Sequence, residues 1–281
     1  MNDKSRQLSA VEAFRSLHTE GCFVLPNPWD PGTAVYLAKL GFKALATTSA
    51  GYAFSRGLPD DVLVISRDEV LSHVREVVDA TSLPVNADFQ NGYADEPEDV
   101  AQSVSFCIAT GTAGLSIEDA TGKRDAPLYD RGLAVERIRA ARHAIDESGV
   151  PVILTARCEA WLVGHTNAFE TSIERLIAFA DAGADCLYAP GVSDPGQIEA
   201  IVNAVSPKPV NVLVSRPDPN LTVSRLADLG VRRISVGSAL ARVAWGAFIR
   251  AASGIISTGT FDELEVGAPF TDLNEVFGRR P

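Results

Sequence analysis

Charged side chains that could do chemistry end three successive apolar segments of the chain. Asp88 ends LPVNAD, Glu118 ends AGLSIE, and Arg157 ends VPVILTAR. Two carboxylates suit a hard divalent cation such as Mg²⁺, which prefers an oxygen shell with one or two carboxylates and several waters. The planar guanidinium of an arginine matches a carboxylate bidentately. Together the three residues predict a metal site that binds a carboxylate-bearing substrate.

Smaller polar groups near these segments could complete such a site. Tyr52, Tyr188 and His165 are candidate proton donors. The two tyrosines stand at the ends of predicted strands, and His165 lies in LVGHTN beyond Arg157. The remaining histidines lie in helical patterns and are expected on solvated faces: His18, His73 and His143. Three small residues after FKALATT could offer backbone N–H groups to an anion: Ser49, Ala50 and Gly51.

A repeated pattern indicates the elements that must position these groups. Helical segments that end at glycine lead into apolar, β-rich segments, as in LAKLGFKALATT, IATGTAGLSIED, FADAGADCLYAP and LADLGVRRISVG. With four further apolar segments the pattern predicts eight strands, near residues 22–26, 43–48, 84–89, 114–118, 151–157, 185–189, 209–214 and 233–237.

Eight such units in about 250 residues predict an α/β fold of the (β/α)₈ barrel type, with a parallel sheet. A doubly wound open sheet is the alternative, but PNPWDPGTAV after the first strand has no Gly-rich dinucleotide fingerprint. Chemistry in such a barrel lies at the carboxyl ends of the strands. The ends of strands three, four and five therefore bring Asp88, Glu118 and Arg157 together, whereas strands six to eight end almost without charge.

Length and composition indicate one domain, residues 1–281, with an amphipathic helix at 1–20 and a helical tail at 255–281. The net charge of −11 argues against a nucleic-acid partner, because phosphate binding needs a basic patch. The polar N-terminus does not resemble a signal region. The sequence has no uninterrupted run of about 18 apolar residues, so no membrane span is expected. The cysteines show no metal-ligand spacing and are expected as reduced, mostly buried thiols of a cytoplasmic protein: Cys22, Cys107, Cys158 and Cys186.

Five motifs follow one another in the order and spacing of the isocitrate lyase/phosphoenolpyruvate mutase superfamily: TTSAGYAFSRGLPD, ADFQNGYADEPEDVAQSV, GTAGLSIEDATG, LTARCEAWLVG and AGADCLYAPG. The resemblance covers residues 21–243. It implies a (β/α)₈ barrel with an extra N-terminal helix, a last helix swapped between subunits, and a homo-oligomer built as a dimer of dimers. It also implies Mg²⁺, with Mn²⁺ as a substitute, and small 2-oxo acid or α-hydroxy di- and tricarboxylate substrates.

The resemblance also assigns roles to residues of this sequence. Asp88 matches the first metal aspartate, Glu118 the metal-linked glutamate, and Arg157 the arginine that binds the substrate carboxylate. Gln90 falls where many members carry a second acidic residue beside the metal, so one negative charge is missing there. Asp60, in GLPD, matches a further active-site aspartate. The carboxylate-binding segment of the family matches Thr48, Ser49 and Ala50.

The segment after the fourth strand departs from the lyases of the superfamily, which carry a catalytic cysteine in a Lys-Lys/Arg-Cys-Gly-His loop. This chain has EDATGKRDAPLYDRGLAVERI, with no Cys or His and with Lys123 and Arg124 as basic candidates. Decarboxylation of oxaloacetate needs no such cysteine, because loss of its C4 carboxylate as CO₂ leaves the pyruvate enolate directly. The prediction is a Mg²⁺-dependent lyase of the oxaloacetate decarboxylase type. The alternatives are a C–P bond enzyme, a methylisocitrate lyase-like enzyme and a non-catalytic 2-oxo acid binding protein.

Overall fold

Eight parallel strands form the centre of the molecule in a computed structural model that describes residues 3–61 and 64–278. The outermost residues of the two predicted terminal segments, 1–2 and 279–281, lie outside this part of the chain. Each strand lies within its predicted segment. The strands are β1 (Phe23–Leu25), β2 (Leu45–Ala46), β3 (Val85–Asp88), β4 (Gly114–Glu118), β5 (Ile153–Arg157), β6 (Cys186–Tyr188), β7 (Val210–Leu213) and β8 (Arg233–Ser235).

The sheet curls into a nearly closed barrel. Its strand order is β1-β8-β7-β6-β5-β4-β3-β2, and β1 pairs with β8 in parallel with Val24 opposite Ile234. A backbone hydrogen bond from Ala46 N to Pro26 O (3.0 Å) joins the end of β1 to β2. The predicted (β/α)₈ barrel is therefore confirmed, and the doubly wound alternative is wrong because the first and last strands meet.

Helices surround the barrel and extend it at both ends of the chain. Helix α1 contributes Phe14, which is fully buried, and Gln7, whose amide donates hydrogen bonds to Ile108 O (2.8 Å) and Thr112 O (2.9 Å). The helices are α1 (Asp3–Leu17), α2 (Pro31–Lys39), α3 (Ser49–Ser55), α4 (Arg67–Asp79), α5 (Pro97–Ile108), α6 (Arg131–Ser148), α7 (Ala168–Asp181), α8 (Pro195–Val205), α9 (Val223–Asp228), α10 (Ala239–Thr258) and α11 (Phe270–Gly278).

Helix α10 is apolar yet mostly exposed. Its only buried residue is Ala241, while Val243 is 69 % exposed and Phe248 61 %. Within the described residues it is the one helix long and apolar enough to cross a membrane, by length and composition alone. An exposed apolar patch marks a binding surface, because it gains free energy when water is removed from it.

Candidate active site

Arg157 is the centre of a buried cluster of charges at the carboxyl ends of β3, β4 and β5. Its Nη1 lies 2.8 Å from Asp88 Oδ1, its Nη2 2.9 Å from Glu118 Oε2, and its Nε 2.9 Å from Glu159 Oε1. The register explains the meeting, because Glu118 and Arg157 are direct partners across β4 and β5. The three predicted residues are thus brought together, and Glu159 joins them.

Asp88 also contacts the start of α3. Its Oδ2 accepts a hydrogen bond from Ser49 N (2.9 Å), and its own N–H donates to Thr47 Oγ1 (2.8 Å). The side chain of Ser49 hydrogen-bonds to Asp60, so that one serine contacts two carboxylates. Thr48 caps α3 by accepting a hydrogen bond from Gly51 N (3.2 Å).

A further buried carboxylate, on Asp119, holds the backbone of Glu159 in place. Asp119 Oδ1 accepts a hydrogen bond from Glu159 N (2.8 Å), and its Oδ2 accepts one from Arg175 Nη1 (3.0 Å). Glu159 is 4 % exposed and Asp119 2 %. Each buried charge therefore has a partner, which is the condition under which charges are tolerated in a protein interior. This arrangement fixes the backbone that follows β5 and with it the carboxylate that orients Arg157.

The cluster carries more negative charge than its arginine neutralises. Burial raises the pKa of Glu118 well above its usual value, and Glu159 and Asp88 raise it further against the opposing effect of Arg157. Burial and then Asp88 likewise raise the pKa of Asp60. Because all the donors are hard oxygens around an excess of negative charge, the set fits a divalent cation such as Mg²⁺.

No cluster of three or more His, Cys, Asp or Glu within residues 3–61 and 64–278 has the geometry of a ready-made metal cage. This agrees with the habit of Mg²⁺, which takes one or two protein carboxylates and completes its shell with water and substrate. Asp88 and Glu118 are the residues that would hold it.

A cavity of about 180 Å³ lies beside this cluster, inside the mouth of the barrel. Several predicted residues line it: Thr48, Ser49, Ala50, Asp60, Asp88 and Arg157. Glu118 is 8 % exposed and lies outside the cavity lining, with its Oε2 2.9 Å from Arg157 Nη2. A cavity of this volume suits a small organic acid.

Other predicted residues lie outside the cavity lining. Tyr52 stacks on His73, with ring centroids 3.9 Å apart and planes 12° from parallel. His165 is exposed, and its Nδ1 accepts a hydrogen bond from Asn167 N (3.2 Å). Gly51 is buried against Trp29, where an added Cβ would come within 3.0 Å of the tryptophan Cβ.

Gln90 adopts a left-handed backbone conformation, with φ of 43°. Its carbonyl oxygen accepts a hydrogen bond from Glu118 N (2.9 Å), so its backbone ties the end of β3 to β4. A non-glycine residue in this region is strained, and such strain persists only where surrounding contacts enforce it. The predicted contribution of the Gln90 side chain to a metal site stays a prediction.

Residues of β6, β7 and β8 line the cavity although the strand ends carry little charge. They include Tyr188, Asn211, Arg233 and Ser235. The signal was present in the alternation of polar and apolar residues within NVL and RIS, because alternate residues of a strand point to the same face. Tyr188 ends β6 and was among the sequence candidates. Sequence reasoning missed Asn211, Arg233 and Ser235 because it considered the ends of the predicted strands and not their interiors.

The segment after β4 is fastened to the β3–α5 loop. The Tyr129 hydroxyl donates a hydrogen bond to Asp95 Oδ1 (2.5 Å) and accepts one from Asn91 Nδ2 (3.0 Å). Lys123 pairs with Asp95 Oδ2 at 3.2 Å and so points to the loop and not into the cavity.

The expectations for the cysteines and for the histidines have different outcomes. The cysteines are free thiols, three of them buried and Cys22 half-buried, as predicted. The prediction of solvated histidines is wrong for His73, which is 4 % exposed, and for His18, whose ring packs against Phe14 and Phe23. His73 lies on the buried face of α4, and His18 directly follows the end of α1. The helical pattern of the sequence did not distinguish these positions from solvated ones.

Comparison with known proteins gives the same family from sequence and from structure. Residues 14–256 match the sequence profile of the family described as phosphoenolpyruvate phosphomutase. The chain is 49 % identical to a putative lyase/mutase from Burkholderia cenocepacia J2315, whose crystal structure superposes with a TM-score of 0.94 over 98 % of each chain. It is 36 % identical to an uncharacterized protein of Mycobacterium tuberculosis, over 80 % of this chain and 82 % of that protein. It is 32 % identical to oxaloacetate decarboxylase of Pseudomonas entomophila, over 81 % of this chain and 78 % of that enzyme.

Proposed function

We propose a Mg²⁺-dependent carbon–carbon lyase activity on a small 2-oxo acid for this chain, which belongs to the isocitrate lyase/phosphoenolpyruvate mutase superfamily. The reaction we infer is decarboxylation of the oxaloacetate type. The observation that carries the proposal is the cavity in which Asp60 and Asp88 face Arg157 at the carboxyl ends of the strands. The identity to an oxaloacetate decarboxylase supports it.

In this proposal some residues bind the metal or the substrate, and others position the binding groups. Asp88 and Glu118 would hold the metal, which when bound supplies Lewis-acid stabilisation of negative charge on the keto oxygen. Arg157 keeps unused N–H donors on Nη1 and Nη2 after its carboxylate contacts, and these would bind the 2-oxo acid carboxylate. Thr48, Ser49 and Ala50 form the adjoining wall, and Asp60 keeps Ser49 oriented. We assign Asp60 to positioning.

Tyr188 is the proton donor that we propose for the carbon that loses CO₂. It lines the cavity, and its ring lies 5.0 Å from the Arg157 guanidinium carbon. Burial raises the pKa of Tyr188 to about 12, so its hydroxyl stays protonated at neutral pH. The exposed His165 and the stacked Tyr52, which were the other two sequence candidates, are less suited because neither lines the cavity.

A lyase that relies on a cysteine acid fits this site less well. None of the four cysteines lines the cavity, and burial raises the pKa of Cys158 to about 12. A C–P bond enzyme is the second candidate, favoured by the match to the phosphoenolpyruvate phosphomutase profile. It would need a group from the β4–α6 segment at the cavity, where Lys123 instead pairs with Asp95.

The test offers the purified protein oxaloacetate, phosphonopyruvate and 2-methylisocitrate in the presence of Mg²⁺. We expect pyruvate from oxaloacetate above the background of free metal, loss of that activity in Asp88→Ala, and its retention in Asp146→Ala, a surface control. Turnover of phosphonopyruvate alone would favour the second candidate. Binding of all three acids without turnover would indicate a 2-oxo acid binding protein and contradict the proposal.

We also propose that the chain acts in the cytoplasm as a homo-oligomer with α10 exchanged or packed between subunits. The free thiols suit a reducing compartment. The apolar residues of α10 remain exposed in the single chain, so a second copy of the chain would remove them from water.

A further inference from the structure

Asn27 is a buried residue where the two ends of the strand order meet. β1 and β2 are those ends, and in the described part of the chain no strand ladder joins them. A backbone hydrogen bond from Ala46 N to Pro26 O (3.0 Å) connects them. Asn27 directly follows Pro26, is 6 % exposed and lines the cavity. A buried amide at this place needs hydrogen-bond partners, because its burial would otherwise be costly.

The Asn27 amide finds its partners on the backbones of two other strand ends. Its Nδ2 donates a hydrogen bond to Thr47 O (2.9 Å), directly beyond β2. Its Oδ1 accepts hydrogen bonds from Val236 N (3.0 Å) and Gly237 N (2.8 Å), directly beyond β8. These partners fix the orientation of the amide, because a reversed amide would place N–H groups against two backbone donors. One side chain thus connects the ends of β2 and β8.

Thr47 extends this connection to Asp88. The side chain of Thr47 accepts a hydrogen bond from the backbone N–H of Asp88 (2.8 Å), and Thr47 is 2 % exposed. The Asp88 carboxylate in turn accepts a hydrogen bond from Ser49 N (2.9 Å), at the start of α3. Two hydrogen bonds therefore separate the Asn27 amide from the backbone of the proposed metal ligand.

The acceptor half of the amide holds the turn into α10. Gly237 has a φ of 54°, a left-handed conformation that glycine adopts without strain, and it precedes Ser238, the N-cap residue of α10. Ala241, the buried residue of α10, faces the start of α3, since a Cβ added at Gly51 would lie 3.4 Å from its Cβ. The start of α10 therefore packs against α3, and Asn27 connects it to β2 as well.

We propose that Asn27 is a positioning residue that connects the Asp88 side of the candidate site to the start of α10. The donor half of its amide fixes Thr47 and, through it, Asp88, while the acceptor half fixes the turn at Gly237. The inference rests on the proposed function for the role of Asp88 as a metal ligand. A shift of α10 is transmitted to Asp88 through this amide, which makes the site sensitive to the packing of α10.

The test measures backbone hydrogen exchange by mass spectrometry at neutral pH in two variants. Asn27→Leu has a similar size and removes both halves of the amide, whereas Asn27→Asp keeps acceptor oxygens and removes the donor. We expect Asn27→Leu to speed exchange about fivefold to tenfold in segments 44–49, 85–89 and 234–240, as for the loss of one hydrogen bond. Asn27→Asp should speed exchange in the first two segments and leave 234–240 as in the wild type.

A second measurement follows the binding of Mn²⁺ through the electron paramagnetic resonance signal of the free ion. Because Asp88 would hold the metal, we expect Asn27→Leu to bind Mn²⁺ about fivefold to tenfold more weakly than the wild type. Wild-type affinity in this variant contradicts the proposal. A wild type that binds no Mn²⁺ contradicts the proposed function instead, and the exchange pattern then decides the role of Asn27 by itself.

The controls separate a positioning residue from one that stabilises the whole barrel. Asn203→Leu and Asn203→Asp, at an exposed position of α8, should exchange as the wild type does in all segments. Unchanged exchange of Asn27→Leu in 44–49 and 234–240 overturns the proposal. Equal acceleration of every strand, including 153–157 of β5, also overturns it, because exchange would then report a general loss of stability. If Asn27→Leu does not fold, as judged by circular dichroism, the isosteric Asn27→Asp decides by its effect on 44–49.

Discussion

The Arg157 guanidinium contacts three carboxylates. Asp88 and Glu118 end β3 and β4, and Glu159 lies two residues beyond the end of β5. Removing one member of a buried, hydrogen-bonded charge cluster leaves the others unmatched, which costs more than the loss of one contact. Glu159 and Asp119 are therefore as important to the orientation of Arg157 as the residues predicted for the metal. At the scale of single residues, the site is therefore a network of charges that depend on one another.

Tyr188→Phe should slow protonation of the product carbon. We expect kcat for oxaloacetate decarboxylation to fall on the order of a hundredfold, the usual effect of losing a general acid. Exchange of the C3 protons of pyruvate in D₂O, followed by NMR, should slow in parallel, because the same hydroxyl would carry the proton. Tyr36→Phe, at an exposed position on α2, is the control. An unchanged exchange rate in Tyr188→Phe would exclude this role.

Among the elements, α4 positions α3 through the stacked rings of His73 and Tyr52. This contact fixes the helix whose first residue, Ser49, bonds to Asp88. The N-terminal helix α1 has a similar role below the barrel, where Phe14 and His18 fill the space beneath β8. Rigid elements that pack against the barrel thus set the position of catalytic backbone groups.

Stability should decline as the pH falls, partly because of His73. Burial lowers its pKa from 6.5 to about 4. Between these values the unfolded chain binds a proton that the folded chain does not, so the contribution is complete above pH 6.5 and is lost as the pH falls to 4. The difference of roughly 2.5 between the two pKa values corresponds to about 3 kcal/mol of the free energy of unfolding.

His73→Phe keeps the stacking but does not titrate. We expect urea unfolding at pH 7 and pH 4.5 to show a smaller difference in the free energy of unfolding than in the wild type. Some dependence remains, because His18 is also buried and neutral. His143→Phe, at an exposed helix position, should leave the difference unchanged. An equal pH dependence in His73→Phe and wild type would refute this assignment.

Gly114 allows α1 and β3 to approach β4 closely. A Cβ there would lie 2.8 Å from Phe14 Cε1, 2.8 Å from Asn86 Oδ1 and 3.1 Å from Ile153 O. Gly114→Ala should therefore lower the free energy of unfolding by about 1–3 kcal/mol through overpacking. Gly32→Ala is the control, because its nearest contact would be an ordinary 3.4 Å. Equal stability of both variants by urea titration would show that the barrel floor relaxes easily.

At the scale of the whole molecule, α10 leaves several large apolar side chains uncovered. Val243, Phe248 and Ile256 are 69, 61 and 87 % exposed. Such a surface is unfavourable in water and stable when a second copy covers it. Coverage of these residues by a second copy would also explain why a barrel of this family has a helix with the composition of a membrane span.

Phe248→Glu should reduce the mass of the particle measured by light scattering after size exclusion. A charge at the centre of a buried apolar contact costs several kcal/mol, so subunits should separate at micromolar concentration. Val223→Glu is the matched control, since Val223 is 49 % exposed on α9 and away from α10. A wild-type mass equal to that of one chain would contradict the oligomer.

Sequence alone predicted most of the architecture. Apolar segments, glycine caps and helical patterns predict eight strand–helix units, the usual number of a (β/α)₈ barrel, whereas the pairing of β1 with β8 that closes the barrel was seen only in the structure. The positions of Asp88, Glu118 and Arg157 followed, because the ends of neighbouring parallel strands must meet. The family followed from motifs that stand in the same order.

Only the tertiary structure decided which polar groups share the interior. Arg233, Asn211 and Thr155 are separated by 22 to 78 positions along the chain, and their meeting depends on register and strand tilt. Likewise a periodic helix does not reveal that His18 faces inward, because its partner comes from the last strand. Local pattern specifies elements, whereas contacts between distant segments specify which polar groups meet in the interior.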